Sequence, residues 1–185
     1  MVCDQLYKVS VVEVREYFLT MSTAAHELGH NLGADHDGEG KATACKAEDF
    51  FIMSPEAPQI GYDKSKPYSR NPWMFSNCSV EAFKKTLGDK MCLTKEGVLY
   101  DWKEWNNFTS KEPGEVYSID MQCELIHGRG SNFCGTVSAD ICMFMKCTDP
   151  KTKLCIWQFF RAARGTSCGE DMWCMEGRCV SKASK

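Results

Sequence analysis

The stretch His26-Glu27-Leu28-Gly29-His30-Asn31-Leu32-Gly33-Ala34-Asp35-His36-Asp37 holds three of the chain's four histidines. On a helix, four residues advance about 400°, so the His26 and His30 rings stand on one face, one turn apart. That is the separation two ligands of a single Zn²⁺ require. Glu27 points about 100° away, beside a metal rather than on it, where a carboxylate can accept a proton from activated water. Gly33 permits the positive φ that ends the helix and swings the chain back, so that His36 can supply a third ligand from outside it. The fourth position is left to water. HExxH alone recurs on ordinary surface helices. With the glycine and the third histidine at fixed offsets, the chance frequency falls to something on the order of 10⁻⁸ per position.

Outward from this motif, a helix is expected from Ser22 or Thr23 to Leu32, with Ala24, Ala25, Leu28 and Leu32 inside it and Gly33 as its left-handed stop. A second is expected after Ser79 as N-cap, with Glu81 in its first turn, a Val80, Phe83 and Leu87 stripe, Lys84 and Lys85 near its end, and Gly88 closing it. Residues 94–114 are polar, lack cysteine and end in Pro113-Gly114, a turn signal, which marks a linker. Trp102 and Trp105 suggest that this linker packs on a domain surface. Beyond it no period of 3.6 or 2.0 is sustained, so order is expected to come mainly from cross-links.

The cysteines divide the chain the same way. Of 12 in 185 residues, Cys3, Cys45, Cys78 and Cys92 are sparse, whereas eight crowd the span Cys123 to Cys179. This pattern predicts a cored domain joined to a disulfide-rich one, in an oxidising compartment. The first residues, Met1-Val2-Cys3-Asp4-Gln5, show none of the regions of a secretion signal, which reads either as a mature chain or as an internal fragment beginning at a convenient methionine, of which the fragment is expected. A formal charge of −3 with no basic run argues against nucleic acid or an anionic membrane as partner, and no apolar run is long enough to span a bilayer. With 43% hydrophobic and 11% aromatic residues, the chain is too apolar to be disordered.

Together these residues resemble the metzincin zinc endopeptidases, and Asp37 after the third histidine points to their reprolysin (adamalysin) branch, which includes ADAM, ADAMTS and snake-venom enzymes. In that family a methionine in a tight turn lies beneath the zinc. Phe51-Ile52-Met53-Ser54-Pro55 looks like that turn, with Met53 its methionine; on its own a methionine would be read as a core gap-filler. Many reprolysins carry cysteine where Phe51 stands, so a bridge common in the family is missing. The segments Cys45 to Ser54 and Phe75 to Ser79 look closest to the salivary reprolysin-like metalloproteases of ticks. The resemblance implies an α+β fold: residues 1–93 as the C-terminal part of a metzincin catalytic domain (zinc helix, Met-turn, C-terminal helix), a linker at 94–114, and a small disulfide-rich, disintegrin-like module at 115–185. Reprolysins have a twisted sheet ahead of the zinc helix, and most of that upper subdomain has no counterpart in the 25 residues before His26.

Four cysteines in the first block allow three pairings and eight in the second allow 105. Reprolysins commonly tie a cysteine upstream of the zinc helix to the last cysteine of the domain, which implies Cys3–Cys92 and, with it, Cys45–Cys78. The second block resembles the disintegrin-like module of ADAMTS proteases in its spacing and in Met143-Phe144-Met145-Lys146-Cys147, Gly165-Thr166-Ser167-Cys168-Gly169 and Trp173-Cys174-Met175-Glu176-Gly177-Arg178-Cys179. That likeness implies Cys123–Cys147, Cys134–Cys155, Cys142–Cys174 and Cys168–Cys179. A zinc site in this block is weakly supported, since it has no CxxC and only His127 nearby. Arg129-Gly130-Ser131 is no Arg-Gly-Asp, so the module is expected to be an exosite for protein substrates or a spacer. Sequons stand at Asn77 and Asn107, of which Asn107 is the better acceptor because Asn77 precedes a cysteine expected to be bridged.

The expected function is that of a secreted, extracellular zinc metalloendopeptidase acting on extracellular proteins. One Zn²⁺ sits on His26, His30 and His36, and Glu27 is the general base. The alternatives are a catalytically incompetent fragment acting as an extracellular binding module and an intracellular zinc-finger-like protein with reduced thiols. The sequence is silent on Ca²⁺ and on oligomeric state.

Overall fold

The computed structural model describes residues 2–3, 9–13, 19–56, 67–88, 90–93, 110–156 and 160–184. The chain divides into two compact units, Met1–Leu99 and Tyr100–Lys185.

In the first unit, helix α1 spans Leu19–Asn31, beginning before the expected start at Ser22 or Thr23. No glycine or proline stands between Met1 and Gly29, so nothing halts the helix at Ser22, and both hydroxyl residues are exposed helical positions rather than caps. Its C-terminus closes as a Schellman motif. The Gly33 N–H donates to the His30 carbonyl (3.0 Å), the Ala34 N–H donates to the Gly29 carbonyl (3.0 Å), and Gly33 takes φ 96°. A Cβ on Gly33 would also collide with Thr86 Oγ1, so this position needs glycine for space as well as for its dihedral.

Helix α2 spans Asn77–Leu87. Its N-cap is Ser76, whose hydroxyl accepts from the Ser79 N–H (3.2 Å); the expectation that Ser79 caps it is corrected. Two serines three residues apart suit either end of the same cap bond, and here Ser79 is the buried N3 residue, its hydroxyl 3.1 Å from that of Ser76. The shift turns Val80 out to 38% exposure. Phe83 instead meets Phe75 edge-on, with ring centroids 4.9 Å apart. Gly88 closes the helix in a right-handed conformation (φ −53°), with Lys84 and Lys85 in the last turn complementing its dipole. Between the helices, one-turn 3₁₀ segments at Gly40–Ala42 and Ala47–Asp49 compact the loop. The buried set of this unit is largely small or polar: Ala34, Asp37, Ala42, Met53, Ser54, Ser76 and Ser79.

Among the described residues of the second unit the first helix is α3, Pro113–Val116, at the end of the stretch read as linker. Pro113-Gly114 begins this helix instead of making a turn, because proline at the first helical position sacrifices no bonded N–H. Residues 94–109, with Trp102 and Trp105, lie outside the described residues. Helix α4, Ile119–His127, follows Ser118 as N-cap, and helix α5 spans Ile141–Phe144. Strands β1 (Ser167–Gly169), β2 (Met172–Met175) and β3 (Arg178–Ser181) form an antiparallel sheet in chain order, with Cys174 opposite Cys179. Regular structure is therefore more extensive here than the expected cross-linked irregular chain. The core consists of Cys123, Ile141, Cys142, Met145, Cys147, Phe160, Ala162, Cys168 and Cys174.

Gln122 is fully buried beside that core. Its Nε2 donates to the Tyr117 carbonyl (2.9 Å) and to Thr166 Oγ1 (2.8 Å), and its Oε1 accepts from the Ala163 N–H (2.9 Å). The network leaves no amide hydrogen or carbonyl of this side chain unpaired. It joins α4 to the turn before β1, against which α3 also lies. A Cβ on Gly114 would strike the Thr166 backbone nitrogen, and Glu112 pairs with Arg164 (2.9 Å).

Candidate metal centre

His26 and His30 project from α1, and the Schellman turn at Gly33 brings His36 back to them. Their Nε2 atoms converge: that of His36 lies 3.1 Å from that of His26 and 3.1 Å from that of His30. Each ring commits its other nitrogen to an oxygen. His26 Nδ1 faces the Ile52 carbonyl (2.7 Å), His30 Nδ1 the Ala34 carbonyl (2.9 Å) and His36 Nδ1 the Glu39 carboxylate (3.2 Å). These acceptors assign the hydrogen of each neutral ring to Nδ1 and leave three Nε2 lone pairs aimed at one point. Three lone pairs so close repel one another unless a cation lies between them. Nitrogens about 2.05 Å from a tetrahedral Zn²⁺ are about 3.3 Å apart, so the spacing fits that ion. Among the described residues one other group of ligand atoms converges, the sulfurs of Cys142, Cys168 and Cys179. All three are in disulfides, which takes them out of metal binding.

The Met53 turn packs against α1 and the chain after His36. The Ser54 N–H donates to the Phe51 carbonyl (2.9 Å), the Asp37 N–H donates to the Met53 carbonyl (2.9 Å), and the Ser54 hydroxyl donates to the Ala47 carbonyl (3.0 Å). Met53 is fully buried, and a Cβ on Gly29 would collide with its sulfur. Gly29 is thus the gap in α1 into which the thioether fits. A glycine inside a helix costs about 1 kcal/mol against alanine, and that cost was the available signal of a close approach, overlooked in the sequence.

Asp37, also fully buried, accepts a hydrogen bond from the Ser76 hydroxyl (2.6 Å) on Oδ1. Burial pushes its carboxyl above the usual aspartate range. The Ser76 bond opposes this shift, nearby Asp49 adds to it, and His26 and His36 oppose it. The bond joins the residue after the third histidine to the cap of α2. Sequence reasoning had taken Asp37 only as a family marker, because its partner lies 39 positions away. Glu27 lies on α1 next to His26, half-buried.

The disulfides present are Cys3–Cys92 and Cys45–Cys78 in the first unit, and Cys123–Cys147, Cys134–Cys155, Cys142–Cys174 and Cys168–Cys179 in the second. Cys45–Cys78 fastens the loop after His36 to the first turn of α2. Asn77 is exposed at the start of that helix, whereas Asn107 lies outside the described residues.

Comparison with known proteins bears on this geometry. Residues 113–180 match ADAMTS cysteine-rich domain 2, and residues 1–96 match the reprolysin (M12B) family of zinc metalloproteases. Among similar curated proteins, A disintegrin and metalloproteinase with thrombospondin motifs 20 of Homo sapiens is 33% identical over 189 residues, covering 100% of this chain and 9% of the relative. The motifs 7 protein of Rattus norvegicus is 36% identical over 163 residues, 85% of this chain and 9% of the relative. The motifs 18 protein of Mus musculus is 35% identical over 162 residues, 85% and 12%. The chain spans about a tenth of the length of these relatives. With its three-histidine centre, its buried methionine turn and a family match over more than half its length, the chain belongs to the reprolysin (M12B) family of zinc metalloproteases.

Proposed function

We propose that this chain carries the zinc centre of a secreted metalloendopeptidase that hydrolyses peptide bonds in extracellular proteins, followed by a cysteine-rich module that serves as an exosite for those substrates or as a spacer. The observation that carries the reading is the convergence of three Nε2 lone pairs whose Nδ1 partners are already engaged. His26, His30 and His36 would hold one Zn²⁺, a Lewis acid that makes water nucleophilic near neutral pH. Glu27 accepts the proton of the attacking water and returns it to the amine nitrogen of the departing product, so one carboxylate serves both halves of the hydrolysis. The backbone carbonyls of Ile52 and Ala34 hold two of the rings in the tautomer that ligates. Six disulfides and the absence of a free cysteine support an oxidising destination, where Asn107 is the preferred glycan acceptor. At Asn77 the hydroxyl of the sequon's Ser79 is buried under the α2 cap. No helix among the described residues is long and apolar enough to cross a membrane.

Glu27→Ala tests the reading. The variant should bind one zinc per chain as the parent does, and lose about 10²–10⁴-fold in peptide hydrolysis, the usual contribution of a general base. Parent-like turnover by the variant would remove Glu27 from the mechanism. A chain that binds substrate proteins but shows no chelator-sensitive cleavage would favour the binding-module alternative.

A further inference from the structure

The three histidines are supported unequally. His26 and His30 lean on main-chain carbonyls, which no side-chain substitution removes, whereas His36 leans on the carboxylate of Glu39. We infer that Glu39 is a positioning residue that fixes the His36 ring and raises the affinity of the site for its metal.

The local backbone delivers this carboxylate deliberately. The Glu39 N–H donates to the His36 carbonyl (3.0 Å), and the Glu39 carbonyl accepts from the Ala42 N–H (2.7 Å). Gly38 (φ 88°) and Gly40 (φ 50°) flank it in the left-handed region, where a side chain is strained. A Cβ on Gly40 would come within 2.6 Å of Asp35 Oδ2, which in turn accepts from the Lys41 N–H (2.9 Å). The turn is therefore pinned on both sides of Glu39, and its carboxylate reaches His36 Nδ1 at 3.2 Å.

A carboxylate on Nδ1 does two things a carbonyl does less well. It orients the ring, and its full negative charge makes Nε2 a better donor to a cation. Glu39 is 62% exposed, so water screens part of that charge and the effect belongs at the lower end of what such partners contribute.

This inference rests on the zinc reading above, and its test separates the two. The full chain is stripped of metal and titrated with Zn²⁺ against a chromophoric chelator, for the parent and for Glu39→Ala, Glu39→Gln and Glu48→Ala. Glu48 is an exposed acid in the same loop. Glu39→Ala should weaken zinc binding about tenfold. Glu39→Gln should fall between Glu39→Ala and the parent, because its amide oxygen still accepts from Nδ1 but carries no charge. Glu48→Ala should match the parent. With Co²⁺ in place of zinc, the visible absorption band of the Glu39→Ala complex should shift, reporting a changed ligand orientation. Parent-like affinity in Glu39→Ala, or an equal loss in Glu48→Ala, overturns the role of Glu39 and leaves the zinc site standing. A parent chain that takes up no zinc overturns both.

Discussion

Two disulfides close loops of nearly equal span, Cys45–Cys78 with a sequence separation of 33 and Cys142–Cys174 with 32. A chain-entropy estimate gives each about 4 kcal/mol through restriction of the unfolded state. Their surroundings differ. Cys142 and Cys174 are 1% and 2% exposed and belong to the core of the second unit. Cys45 and Cys78 are half-buried at the margin of the first, whose interior goes to Met53, Asp37, Ser76 and Ser79. Equal loops thus serve unlike ends: one bridge is itself the packing, and the other restrains the loop that follows His36.

The largest effect should come from removing these two bridges separately. Replacing Cys142 and Cys174 together by serine should cost about 4–5 kcal/mol and bury two hydroxyls without partners, enough to unfold so small a unit. Amide hydrogen exchange should then show β2 unprotected while zinc affinity stays at the parent value. The paired Cys45→Ser and Cys78→Ser variant should do the reverse, weakening zinc binding with β2 protection intact. If both variants lose both properties, the distinction between the two bridges disappears.

A smaller effect is expected at Ser76. Ser76→Ala removes the α2 cap and the hydrogen bond to buried Asp37, at a combined cost of about 2–3 kcal/mol in chemical denaturation. Restoration of most of that stability by Ser76→Thr, which keeps the hydroxyl, would confirm that the hydrogen bonds and not the side-chain volume matter. Smallest is Gly29→Ala. Alanine gains about 1 kcal/mol of helix propensity, but its methyl must displace the sulfur of fully buried Met53 and crowd the Phe75 ring, leaving a net loss of about 1–2 kcal/mol. A net gain in melting temperature would show that Met53 yields.

Much of the centre was legible in sequence because it is local. His26, His30 and Gly33 are related by one helical repeat and one turn, and their meaning needs no tertiary partner. What escaped notice depended on distant contacts: Ser76 on Asp37, Gly29 on Met53, Gln122 on Ala163 and Thr166. Helix α4 was missed for another reason. Ile119, Cys123 and Ile126 follow the spacing i, i+4, i+7 of a buried helical face. Counting Cys123 as a cross-link hid that it is also an apolar residue, 0% exposed, and so hid the period. The start of α2 was misplaced because both Ser76 and Ser79 are good caps, and only packing chose between them.

The disulfide pairs have a further consequence for backbone continuity. Cys3–Cys92 encloses the whole span between its ends, and the four bridges of the second unit overlap in series, 123 to 147, 134 to 155, 142 to 174 and 168 to 179. Every peptide bond from Cys3 to Cys92 and from Cys123 to Cys179 therefore lies inside at least one covalent loop. A single nick in either span therefore leaves its two pieces covalently attached. Between the first and last cysteines, only the stretch from Cys92 to Cys123 lacks such a loop, and one cut in it removes every covalent link between the two sides.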